Sequence, residues 1–302
     1  MHRSLLAAAL AISAATASVL ASQIRYQARI DVVGFTVAVV DRTNDPVTGL
    51  TAQDFELKED GVVQNVSYFD AGGDQQAVPL HIGLMFDTSE SMEKDLSFSR
   101  SAAIKFLNTF PKAQDFTFVD FATEVRAATF SQNEFARLVA RIRNRPAKGM
   151  TALYDALGVY LGAAFDQDGR KVLVIYTDGG DSSSSRTWTE AVRLLKASDV
   201  TVYPIGFLAN QGQGSARLVQ QSRLNEMASL TGGIALFPNN MKELDGMYSR
   251  ISNEIHSHYT LGYVSSNTAK DGNWRKVEVK VKRPSANRLV VRTRQGYFAP
   301  AK

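Results

Sequence analysis

Leu80-His81-Ile82-Gly83-Leu84-Met85-Phe86-Asp87-Thr88-Ser89-Glu90-Ser91 is the stretch around which the chain is organised. A short apolar run bounded by polar residues reads as a buried strand, and it delivers Asp87, Ser89 and Ser91 to the loop at its carboxyl end. A carboxylate and two hydroxyls at alternating positions, without His or Cys among them, form a hard oxygen set. Such a set suits Mg²⁺, Mn²⁺ or Ca²⁺ rather than Zn²⁺ or Cu²⁺. Taken alone the pattern has a plainer use, since Ser91 could simply cap a following helix.

Two further segments strengthen the metal reading. Gly149-Met150-Thr151-Ala152-Leu153-Tyr154-Asp155-Ala156-Leu157 places a threonine at the start of an apolar-periodic helix. Lys171-Val172-Leu173-Val174-Ile175-Tyr176-Thr177-Asp178-Gly179 is a second apolar strand ending in an aspartate. In this order and spacing the three segments resemble the von Willebrand factor A (VWA) domain and its metal-ion-dependent adhesion site, over about Val78 to His256. The resemblance implies an α/β fold, a doubly wound, mostly parallel sheet with Mg²⁺ at its carboxyl edge. It also implies roles: Ser89 and Ser91 bind the metal directly, Asp87 and Asp178 act mainly through water, and Thr151 binds directly or through water.

Ahead of this region, residues 1–22 read as a signal peptide. His2 and Arg3 precede the Ala-rich run Leu5–Leu20, and Val19-Leu20-Ala21 offers small residues for cleavage. Export to the periplasm or medium is therefore expected, with no stable membrane span after cleavage. There are no cysteines, which excludes disulfides and an N-terminal lipid-carrying Cys. Cleavage at Ala21 removes Arg3 and takes the net charge from +4 to +3, too mild to argue for nucleic acid.

The flanks alternate apolar and polar. Ile30–Val33, Phe35–Asp41 and Val62–Phe69 read as strands, with turns at Asn44-Asp45-Pro46 and Glu59-Asp60-Gly61. Tyr259–Val264, Trp274–Val281 and Leu289–Arg294 are three more strands near the C-terminus, with Lys276, Lys280, Lys282 and Arg283 on an outer face, where they are expected to guard a sheet edge. Strands with one apolar face must cover it, so residues 24–75 and 258–300 are expected to form one discontinuous β-sandwich into which the domain 78–256 is inserted. The wording of these flanks, from Gly49-Leu50-Thr51 through Asp54-Phe55-Glu56-Leu57 to Gly296-Tyr297-Phe298, resembles the bacterial proteins called VWFA-related.

Within the inserted domain the spacing predicts helices over Glu93–Phe110, Asn133–Arg143, Thr151–Phe165, Trp188–Ser198, Arg217–Leu230 and Met241–Ile255. It predicts strands over Phe116–Phe121, Val125–Thr129, Val200–Phe207 and Gly233–Phe237. The functional expectation is an exported binding module. Asp87, Ser89, Ser91, Thr151 and Asp178 hold Mg²⁺, with Mn²⁺ or Ca²⁺ as substitutes, and a protein partner's Asp or Glu completes the shell. A metal-dependent hydrolase is the alternative, with a purely structural module as the third. No G-x-S-x-G, H-E-x-x-H or phosphate-loop signature is present, which disfavours the hydrolase.

Overall fold

The computed structural model describes residues 32–72, 78–209, 214–283 and 286–301. The expected signal peptide and the expected strand residues Ile30 and Asp31 lie outside them. In the centre stands a five-stranded sheet in the order β7-β6-β5-β8-β9. Its strands are β5 (Leu80–Asp87), β6 (Asp115–Phe121), β7 (Val125–Phe130), β8 (Arg170–Thr177) and β9 (Thr201–Gly206). All pairs are parallel except β6 with β7, a hairpin at the edge.

Every residue of β5, β8 and β9 is buried, as a parallel sheet covered on both faces requires. The covering helices are α1 (Glu93–Leu107), α2 (Phe135–Arg143), α3 (Leu153–Ala164), α4 (Trp188–Ala197), α5 (Ser215–Thr231) and α6 (Met241–His256). Two apolar clusters form, one centred on Phe86, Phe106, Tyr176 and Ile251, the other on Met85, Leu157, Ile175 and Met227. Gly83 permits the second: a Cβ there would lie 2.2 Å from the Tyr160 ring.

One expected strand, Gly233–Phe237, shrinks to a single bridge between Ile205 and Leu236. Leu236 N donates to Pro204 O and Gly206 N to Leu236 O, both at 2.8 Å. The ladder cannot continue, because Pro204 has no N–H and the Val202 N–H donates to Thr231 Oγ1 instead.

The flanks build two four-stranded antiparallel sheets. One has the order β12-β1-β10-β4, from Val290–Arg292, Val32–Val40, Tyr259–Val264 and Val66–Asp70. The other has the order β13-β11-β2-β3, from Gly296–Phe298, Trp274–Val281, Phe55–Glu59 and Val62–Gln64. Phe35, Leu57, Tyr263 and Val277 fill the space between them, so both chain segments contribute to one core. The Val62–Phe69 run, expected as one strand, splits at Asn65 into β3 and β4, which belong to different sheets. β12 and β13 make the same crossing at the opposite edge. Lys276 and Lys280 are exposed; Lys276 lies inside the sheet, opposite Gly296 of β13, so it does not guard an edge, and Arg283 ion-pairs with Asp54 instead.

The seam between sandwich and central domain is polar and buried. Tyr203 donates to Glu254 Oε1 at 2.7 Å and lies 3.0 Å from His258 Nε2. Arg292 pairs with Glu254 Oε2, and Arg170 reaches the Ile255 carbonyl and, at 3.3 Å, His258 Nδ1. With Arg170 donating to Nδ1, His258 is a neutral imidazole with its proton on Nε2. Burial pushes its pKa below the ordinary value in agreement with that form.

Candidate functional site

β5 lies where the strand order reverses, with β6 on one side and β8 on the other, so the loops after β5 and β8 open a crevice at the sheet's carboxyl edge. Asp87 ends β5 with both carboxylate oxygens engaged: Oδ1 accepts from Ser89 N at 2.9 Å and Oδ2 from Thr177 Oγ1 at 2.7 Å. Thr177 Oγ1 in turn accepts from Gly179 N at 3.0 Å, and Asp178 Oδ1 accepts from Gly180 N at 2.8 Å. Ser89 Oγ and Ser91 Oγ stand 3.2 Å apart.

The threonine loop is stitched to both neighbours. Lys148 N donates to Thr88 O at 2.8 Å and Glu90 N to Gly149 O at 3.0 Å. On the other side Thr151 N donates to Ser182 Oγ at 3.0 Å, while Ser182 N and Ser183 N donate back to Thr151 O. Backbone bonding therefore gathers the loops that carry Asp87, Ser89, Ser91, Thr151 and Asp178. Asp87, Ser89, Thr151 and Asp178 are buried and Ser91 is exposed, so the crevice opens to solvent at Ser91.

Burial, above all, pushes the Asp87 carboxyl up to about 7, against the hydrogen bonds from Ser89 and Thr177 and with the help of the Asp178 charge. Both groups that bond it, a backbone N–H and a hydroxyl, are uncharged. Among the described residues no three His, Cys, Asp or Glu side chains gather as a metal group. The set here is two carboxylates and three hydroxyls, the donor chemistry of a hard divalent cation. A buried carboxyl bonded only by neutral donors fits such an ion, which would supply the missing positive charge.

Two neighbouring features have other employment. Ser184 Oγ and Asp181 Oδ1 accept the free N–H groups of Tyr154 and Asp155, so the Asp181–Ser185 loop caps α3. Arg141 and Arg145, which precede the threonine loop, both grip buried Asp120, at 2.8 and 3.0 Å. Sequence reasoning missed Thr177, the hydroxyl that fixes Asp87. Its place at the end of the second apolar strand, just before Asp178, was the available signal.

The profile of the von Willebrand factor type A domain matches residues 81–250. No curated protein matches the chain in sequence. Among solved structures, a von Willebrand factor type A protein from Catenulispora acidiphila superposes with a TM-score of 0.52 at 11% identity, covering 90% of this chain and 74% of that one. The pilus adhesin SpaC from Lactobacillus rhamnosus GG, in its open conformation, gives 0.50 at 11% identity, over 86% of this chain and 48% of that one. The PilB minor pilin from Streptococcus sanguinis gives 0.49 at 16% identity over 61% of this chain, which spans 62% of that pilin.

Proposed function

Because the chain belongs to the von Willebrand factor type A domain family, we propose that it is an exported protein-binding module whose metal-dependent site captures an acidic residue of a protein partner. Ser89 and Ser91 would hold the cation directly, Thr151 directly or through water, and Asp87 and Asp178 through water. When bound, Mg²⁺, or Mn²⁺ or Ca²⁺ in its place, supplies a Lewis-acidic position that an outside carboxylate can complete.

The residues of the chain do the rest. Thr177 and the Ser89 N–H fix the Asp87 carboxylate, and the bonds through Gly149 and Ser182 hold the threonine between the two aspartate-bearing loops. The observation that carries the reading is the buried Asp87 carboxyl, bonded only by neutral donors beside a second carboxylate. Its two acid groups roughly offset a dication, so the partner's carboxylate adds the binding charge. We read the site as one that binds, exposed Ser91 giving an outside carboxylate access to it.

Titration calorimetry tests this. Wild type is expected to take up one Mg²⁺ per chain, and Asp87→Ala to lose that uptake while keeping its circular dichroism spectrum. Equal Mg²⁺ uptake by both proteins would sink the proposal.

A further inference from the structure

At the edge of the central sheet opposite Asp87, a cavity of about 560 Å³ lies between the starts of β8 and β9 and the face of the sheet β12-β1-β10-β4. Two glycines make room for it. Gly34 and Gly262 stand opposite each other in the β1–β10 ladder, so side chains at both positions would project from the same face. Their neighbours Phe35, Leu261 and Tyr263 fill the sandwich core, which turns that face toward the central domain. A Cβ at Gly34 would meet nothing within 4 Å, whereas one at Gly262 would lie 3.0 Å from both Tyr68 Cβ and Val32 Cγ1. The mouth is apolar: Val32, Tyr68, Phe165 and Phe298 line it and all are exposed, Phe165 at 77%.

The inner end is polar and carries unspent donors. Arg170, only 3% exposed, gives Nη2 to the Ile255 carbonyl and His258, and among the described residues its Nε and Nη1 have no partner. Thr260 Oγ1 is buried without a partner as well. Arg294 donates Nη2 to Gly34 O at 2.7 Å and leaves Nε unpaired. Lys171 is taken up by Asp199, at 2.7 and 2.8 Å, and Asp70, with Oδ2 unpaired, stands opposite Thr260 on the same face. Burial pushes the Arg170 guanidinium down to about 10, which leaves it charged at neutral pH. Arg170, Lys171 and Arg294 therefore face Asp70 and Asp199, an excess of one positive charge.

We propose that this cavity binds a small amphipathic monocarboxylate, its head accepting from Arg170 and Thr260 and its apolar body lying over Gly34 and Gly262 between Tyr68 and Phe165. A volume between roughly 300 and 1,000 Å³, apolar walls and a few placed polar groups are the features of small-molecule sites. The single excess charge matches a carboxylate and not a phosphate monoester, which carries about −1.5 to −2 at neutral pH.

Titration calorimetry in EDTA, where the crevice at Ser91 has no metal to offer a carboxylate, tests this with octanoate, octan-1-ol and acetate. Octanoate is expected to bind at least about tenfold tighter than either of the others, the share of a hydrogen-bonded charge. Gly34→Val, whose side chain enters open space, should abolish octanoate binding and leave the circular dichroism spectrum unchanged. Thr260→Val should weaken octanoate about threefold or more and leave octan-1-ol as it was. Phe165→Glu, at an exposed position, sets a like charge at the mouth and replaces Gly34→Val if that variant does not fold. Equal binding of octanoate and octan-1-ol, octanoate binding that survives both Gly34→Val and Phe165→Glu, or no octanoate binding by wild type would each overturn the proposal, and none of them touches the metal reading.

Discussion

Asp87 and Glu254 are two buried acids at opposite ends of the same domain, and their surroundings differ in one respect. Glu254 is met by Arg292 on one oxygen and by Tyr203 and, at 3.7 Å, His258 on the other. Burial would raise its pKa, but the approach of the His258 ring N–H and the Arg292 charge outweigh it and hold the carboxyl down to about 2. Asp87 has comparable burial but only neutral donors, and it is pushed up to about 7. One end of the domain carries its counter-charge within the chain. At the other, both groups that bond the carboxylate are neutral, the condition a hard cation would meet in the function proposed above.

The comparison breaks most visibly at Glu254. Glu254→Ala leaves the Arg292 guanidinium and the Tyr203 hydroxyl without their partner, and stranding a buried charge costs about 3–5 kcal/mol. Urea unfolding should show that loss. A change below about 1 kcal/mol would mean that the seam does not depend on its internal ion pair.

Asp87→Asn should act in the opposite direction. It removes a buried negative charge while leaving an oxygen to accept from Ser89 N. In EDTA at pH 8 the variant is expected to be more stable than wild type by about 1–3 kcal/mol. Addition of Mg²⁺ should reverse the ranking, since an ion at 100 times its dissociation constant adds about 2.7 kcal/mol to the protein that binds it. Melting curves with and without Mg²⁺ check both halves.

Opposite pH slopes sharpen the same contrast. Glu254 has a folded pKa depressed from 4.5 to about 2, so its stabilisation is complete above pH 4.5 and is lost as pH falls through that window, roughly 3 kcal/mol in all. The lowered pKa of His258 works with it, removing stability as pH drops below 6.5. Asp87 is raised from 3.8 to about 7, so its penalty is absent below pH 3.8 and grows as pH rises to 7 in metal-free protein. Glu254→Gln should therefore flatten the acid limb of the stability profile, and Asp87→Asn should lift its neutral limb. Identical profiles for both variants would refute the contrast.

The site was far more legible in the sequence than the seam. Asp87, Ser89 and Ser91 fall within five residues at the end of an apolar strand, the strand-to-loop pattern sends Asp178 to the same sheet edge, and Thr151 joins it at the start of the helix that leads into β8. Glu254 and His258 carry no such local pattern. Their partners Arg170, Tyr203 and Arg292 come from three strands brought together only by packing, so nothing near either residue announced them. His258 is 1% exposed, packed where α6 leads into the sandwich. The sandwich shows the same limit. Alternation revealed its strands, but the change of sheet at Asn65 depends on which neighbour each half pairs with, a long-range fact.

The smallest expected effect concerns what fastens α6 between the two regions. This helix carries Glu254 near one end, and its other end begins beside a cavity lined by Lys94, Phe98 and Phe207. On its exposed side Lys105 of α1 bonds both Asp245 oxygens at 3.0 Å, with 62% of the lysine side chain and 46% of the aspartate side chain accessible. Such a pair is screened and gives up side-chain entropy to form, so Lys105→Ala should change stability by less than about 0.5 kcal/mol. A loss above 1 kcal/mol would place part of the hold on α6 at the surface. A negligible loss beside the large Glu254→Ala effect leaves that hold with apolar packing and the buried seam, where the counter-charges are already inside the chain.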